Sequence, residues 1–130
     1  MKALSIRQPW AWLIVHGGKN IENRTWRTKF RGPVLIHAGK KIDLRAYSEL
    51  KAQGVKLPPL EKLQTGGIIG KVEIVDCVDD SASPWFRGPF GFVLANPKPV
   101  KFTPCLGKLY FFEFDHTFRP SGNSLQCLQA

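Results

Sequence analysis

Leu4–Lys41 reads LSIRQPWAWLIVHGGKNIENRTWRTKFRGPVLIHAGKK, and its changes of period decide the fold. Leu4 and Ile6 alternate with Ser5 and Arg7, which predicts a short first strand. Pro9 has its φ fixed near the helical value and no N–H to satisfy, so it suits the first helical position, with Gln8 before it as the cap. Trp10, Leu13, Ile14 and Gly17 fall at helical spacing, and Trp12 and Val15 extend the apolar face almost all round, which predicts a largely buried helix. Gly17–Gly18 ends it. A strand is then expected over Ile21–Thr25, with Ile21 inward and Glu22 and Arg24 on the opposite face. Trp26–Gly32 is a basic connection, and Pro33–Ala38 is a second, more apolar strand closed by Gly39.

Outward from this stretch, Asp43 is the expected N-cap of a helix carrying Leu44, Tyr47 and Leu50, with Gly54 as its stop. Residues 55–65, with Pro58–Pro59, have no period and are expected to form a surface loop. Gly67–Val78 is the longest strand candidate: Ile68, Val72, Ile74 and Val78 share one parity, and Lys71, Glu73, Val75 and Cys77 the other. After a polar loop with Trp85, Phe86 and Arg87, short strands are expected at Phe90–Leu94, Val100–Phe102 and Leu109–Phe114. About six short strands, two helices and frequent turn signals predict a β-rich α+β fold, a small mixed barrel with two helices packed on it. The organisation expected is one domain over residues 1–114 and a polar, loosely held tail over 115–130.

Composition narrows the function classes. No apolar run reaches the ~20 residues that cross a bilayer, and the first residues lack a secretory pattern. A soluble, cytoplasmic protein with no membrane partner is expected. Cys77, Cys105 and Cys127 are far apart and form no CxxC pair, so three reduced thiols are expected. His16, His37 and His116 show no ligand spacing, and neither a metal nor a cofactor is implied. The net charge is +9, yet residues 1–41 hold nine Lys and Arg against one acid, Glu22, while the remainder holds ten against nine. A basic surface concentrated in this way attracts polyanions.

Three groups of residues then stand together: Ser5, Gln8-Pro9-Trp10; Gly17-x-Lys19-x-x-Glu22-x-Arg24-x-Trp26; and Arg31-Gly32 with Ile36-x-Ala38. With Gly67-x-x-Gly70-x-Val72, Asp76-Cys77, Asn96-Pro97 and Gly107-Lys108 they resemble the ASCH domain, whose signature is GxKxxExR. The resemblance spans roughly residues 4–114. It implies a PUA-like β-barrel with a cleft beside the first helix, in a superfamily associated with RNA binding. Some small members that resemble this chain hydrolyse acetylated cytidine nucleosides with a lysine, a threonine and a glutamate, and others are linked to RNA cleavage. Lys19 matches that lysine and Glu73 resembles the glutamate, but Glu22 stands where the threonine is expected.

The candidate binding set is therefore Lys19, Glu22, Arg24, Trp26, Arg27, Trp10, Gln8, His37 and Lys40, with Lys19, Glu73 and Glu22 as the catalytic set if a reaction occurs. Trp26 amid Arg24, Arg27, Lys29 and Arg31 has the aromatic and cationic mixture that suits unstacked bases. Lys19, Glu22 and Arg24 also fit a structural ion pair bracing the turn. RNA or a nucleotide-like ligand is the expected partner, a hydrolase of acetylated cytidine or a ribonuclease is the alternative, and no protein partner is specified.

Overall fold

The computed structural model describes residues 1–115 and the backbone of Gln126–Cys127. It contains strands β1 (Lys2–Gln8), β2 (Ile21–Arg24), β3 (Gly32–Ile42), β4 (Gly67–Val78), β5 (Phe90–Pro104), β6 (Phe111–Asp115) and β7 (Gln126–Cys127), with helices α1 (Trp10–His16) and α2 (Leu44–Ala52). The strands form one sheet in the order β2-β5-β4-β3-β1-β6-β7. Among the described residues β1 and β3 are the one parallel pair; α1 lies within the connection between them, as a crossover requires. The expected β-rich α+β architecture with two helices is observed, and register shifts along β3–β4 and β4–β5 bend the long strands as a barrel-like sheet needs. No helix among the described residues is long and apolar enough to cross a membrane.

The core forms where β1, β3 and β4 lie side by side under α1. Leu4, Ile6, Val34, Ile36, Val72, Ile74 and Phe92 are buried there together with Ile14 and Val15 of the helix. Helix and sheet meet at Gly70, where a Cβ would stand 2.4 Å from Val15 Cγ2 and 3.0 Å from Lys98 O. Glycine is thus the residue that lets α1 settle onto β4. The helix begins one residue later than expected, with Pro9 as the cap and Trp10 first, yet buried Gln8 still serves the first turn: it accepts a hydrogen bond from Trp12 N at 2.8 Å through Oε1 and donates to Gln64 O at 2.8 Å through Nε2. Gly18, at φ +77°, carries the chain out of the helix.

Several expectations are corrected. The strands expected separately at Phe90–Leu94 and Val100–Phe102 are one strand, β5, that runs through Pro97 and Pro99. Among the described residues β2 pairs with Phe90–Val93 and Leu94 N bonds Asn20 O, so the stretch of β5 that carries Pro97 and Pro99 has no strand on that edge and a missing N–H costs little there. In α2, Asp43 caps as expected by accepting from Ala46 N at 3.0 Å, but Leu44 is 59% exposed and the buried pair is Ala46 and Leu50, an i, i+4 stripe. The loop over 55–65 includes a 3-10 turn, Leu60–Lys62. Cys77 is a free thiol, whereas Cys105 is disulfide-bonded, since distance along the chain does not set distance in the fold. Within the expected tail, Gln126–Cys127 pairs with Phe114–Asp115; residues 116–125 and 128–130 lie outside the described residues.

Candidate functional site

A cleft of about 200 Å³ opens between the start of α1, strand β2 and the loop that precedes β5, and it is lined by Trp10, Lys19, Glu22, Asn23, Leu50, Trp85 and Arg87. Local sequence builds each wall. The tight exit from α1 directs Lys19 back under the helix, where its N–H bonds to Leu13 O at 3.0 Å. Its side chain is only 4% exposed, donates to Ile21 O and lies 5.7 Å from the Trp10 ring centroid, within cation–π reach.

Strand alternation places Ile21 in the core and Glu22 on the other side of β2, but that side is the cleft wall and Glu22 is itself buried. Its carboxylate is shared. Oε1 lies 3.4 Å from Lys19 Nζ, and Oε2 accepts from Arg24 Nε at 3.0 Å. Arg24 also donates through Nη2 to Ser5 O at 2.9 Å, which ties β2 to β1. One buried anion thus holds two cations in place. Burial pulls the Lys19 amine below its ordinary 10.5; Glu22 opposes that fall, and the charges of Arg24 and Arg87 add to it.

The third wall depends on Asn23. Its Nδ2 donates to Trp85 O at 3.0 Å, while its Oδ1 accepts from Arg87 N at 2.8 Å and Gly88 N at 3.0 Å. A single side chain therefore seats the loop that brings Trp85 and Arg87 to the cleft. Trp85 is half-buried and Arg87 is exposed.

Of the residues singled out from sequence, Lys19, Glu22 and Trp10 line this cleft, and Arg24 stands behind it. The others lie elsewhere. Trp26 is packed edge-on against Phe92, Tyr110 and Phe111, with ring centroids 5.1, 5.0 and 5.6 Å away, so its faces serve the core. Arg27 pairs with Asp79 at 3.2 Å and covers the Phe90 ring at 4.5 Å. Gln8 is committed to α1, and His37 is buried against Ser5 and Cys105, where burial holds its pKa below 6.5 against the opposing Cys105 hydrogen bond. Lys40 borders a separate groove. Glu73 is exposed, shares a 3.4 Å hydrogen bond with Asn96 and does not line the cleft, because its parity in β4 is opposite to that of buried Val72 and Ile74.

Asn23, Arg87 and Leu50 are the lining residues that motif reading passes over. Asn23 sits inside the GxKxxExR stretch and was hidden by its charged neighbours; Arg87 and Leu50 reach the site only through tertiary packing. No three His, Cys, Asp or Glu side chains converge among the described residues in a way that would hold a metal ion.

A family model described as the ASCH domain matches residues 4–90. Activating signal cointegrator 1 of Homo sapiens is 33% identical over 82% of this chain, and the protein of that name from Mus musculus is 32% identical over the same share. The chain spans 22% of the length of each of these relatives.

Proposed function

The chain belongs to the ASCH domain family, and from that premise we propose that it binds single-stranded RNA or a nucleotide-like ligand in the cleft between α1, β2 and the 85–88 loop. One observation carries the proposal: two half-buried indoles, Trp10 and Trp85, share a cleft with Lys19 and Glu22, the carboxylate being fixed from behind by Arg24. Stacking on an aromatic face contributes about 1–3 kcal/mol per base and tolerates any base. Glu22 and Lys19 supply an acceptor and a donor for a base edge, and exposed Arg87 supplies a cation for a phosphate. Trp85 takes the stacking role that the sequence suggested for Trp26.

Tryptophan fluorescence tests this directly. Titration with a nucleoside monophosphate or a short single-stranded RNA is expected to quench emission saturably, and Trp85→Ala is expected to weaken binding about 10-fold or more, which corresponds to ~1.4 kcal/mol. Equal affinity in Trp85→Ala and Trp26→Phe proteins would overturn the cleft assignment.

A hydrolytic alternative is favoured by one feature, the Lys19 amine drawn toward neutrality beside a carboxylate. In that case Glu22, not Glu73, is the carboxylate at hand. Incubation with N4-acetylcytidine, compared between wild-type and Lys19→Met proteins, distinguishes the two: turnover lost in the variant supports hydrolysis, and no turnover leaves binding alone.

A further inference from the structure

On the other side of Arg24 from the cleft lies a second, shallower groove of about 510 Å³, between β1, the end of β3 and the segment joining β5 to β6. Its floor is Ser5 and His37. Ser5 Oγ is 2.9 Å from His37 Nδ1, and His37 Nε2 is 2.7 Å from Cys105 O. A carbonyl oxygen only accepts, so Nε2 carries the proton and Nδ1 accepts from the Ser5 hydroxyl. Gly107 closes over this pair: a Cβ there would stand 2.6 Å from His37 Cε1 and 2.8 Å from Ser5 Oγ. The close seat fixes the segment carrying Lys108 beside the strands carrying Arg7 and Lys40.

Charge sets this groove apart from the cleft: four cations, Arg7, Arg24, Lys40 and Lys108, line it and no acidic residue does, whereas Glu22 lines the cleft. Among the described residues Arg7, Lys40 and Lys108 have no acidic partner within 4 Å, as is also true of other cations such as Lys98 and Lys101. Arg24 lines this groove and stands behind the cleft, bonding Glu22 on the cleft side and Ser5 O on the groove side.

We propose that this groove is a phosphate-binding subsite that takes the backbone phosphate adjoining the nucleotide held in the cleft, with Arg7, Lys40 and Lys108 as the contacting cations. The strand would pass over Arg24. The placement rests on the cleft being a nucleic-acid site; the phosphate chemistry of the groove stands on its own residues.

The test is the salt dependence of binding to an eight-nucleotide single-stranded RNA, for wild type and for the Lys40→Ala/Lys108→Ala protein. Each phosphate contact contributes about 0.7 to the slope of log K against log salt for a single strand. The double variant is expected to lower the magnitude of that slope by about 1.4, while quenching by a nucleoside without phosphate stays as in wild type. An unchanged slope overturns the proposal, and so does failure of wild type to bind the RNA at low salt. A reduced slope with no nucleoside quenching supports the phosphate groove and refutes the cleft assignment, so the two failures are distinguishable. Inorganic phosphate that displaces the RNA at equal phosphate concentration would assign the groove to a free anion and overturn the strand version.

Discussion

Replacing Glu22 by Gln removes one charge from the centre of the cleft while keeping the shape of the side chain. In the native arrangement its carboxylate faces Lys19 at 3.4 Å and Arg24 at 3.0 Å, with the Lys19 and Glu22 side chains 4% and 10% exposed. Gross attraction at 3.4 Å with an effective dielectric near 20 is about 5 kcal/mol, and breaking a buried pair by removing one partner typically costs about 3–5 kcal/mol. The lysine itself sets a ceiling. Once the anion is gone, Lys19 can shed its proton, and at about 1.36 kcal/mol per pH unit the roughly 3.5 units between its ordinary 10.5 and pH 7 cap the penalty near 5 kcal/mol.

The sign of the pH dependence follows. Burial holds the folded-state pKa of Lys19 below 10.5, so the unfolded chain binds more protons between those values and this group makes stability rise as pH rises through that interval. Loss of Glu22 lowers the folded pKa further, so the variant gains more than wild type on going alkaline. Urea unfolding is expected to show Glu22→Gln destabilised by about 3–5 kcal/mol at pH 7, with the gap falling to about 2 kcal/mol or less at pH 9. As a control, Glu49→Gln at the exposed Arg45 pair should change little. A gap under about 1 kcal/mol at pH 7, or one that does not narrow by pH 9, would refute the claim that Glu22 holds a charged lysine in a dry site.

Asn23→Ala is expected to cost about 1–2 kcal/mol and to speed amide exchange at Arg87 and Gly88 selectively, since the loop loses three hydrogen bonds; unchanged exchange there would mean that Asn23 does not seat it. Gly70→Ala forces a methyl against Val15 and Lys98 O, so a loss of about 1–3 kcal/mol in denaturant unfolding is expected, and a neutral result would contradict the close seat of α1 on β4. Because burial lowers the pKa of His37 below 6.5, the unfolded chain takes up the proton first and stability falls as pH drops through 6.5 toward the folded value. His37→Gln should lack that component, so the stability gap between it and wild type should shrink from pH 8 to pH 5; a constant gap would show that His37 does not titrate differently in the two states.

How much of this was legible beforehand depended on whether the information was local. Strand parity and capping are local rules, and they placed β1, the extent of β4, the Asp43 cap and the burial of α1 from spacing alone; the shared face expected for Ile68, Val72 and Ile74 is broken by the register shift at Ile68–Gly70, which sends Ile69 to the Val72–Ile74 core and Ile68 to the cluster with Leu35 and Phe112. The signature stretch likewise located Lys19 and Glu22, because a glycine exit followed by a short strand brings a side chain at each position to one wall. Trp26 lies in an aromatic cluster outside the cleft for a reason that spacing does not carry: its neighbours in space, Phe92, Tyr110 and Phe111, are about 66 to 85 residues away in the chain. Trp85 had no motif around it and became a cleft wall only through Asn23, 62 residues earlier.

Glu73 shows the converse. Its outward parity in β4 follows from the alternation of the strand, and that same parity keeps its side chain out of the cleft that its family resemblance suggested. A residue type at a matching position carries chemistry only if the pleat turns it toward the site, and in β4 the pleat gives the inward places to Val72 and Ile74. The carboxylate available to Lys19 is therefore the one three residues along its own turn, already bonded to Arg24. An anion held between two cations is a poor free base but a rigid acceptor, which favours recognition of a base edge in this cleft over proton transfer.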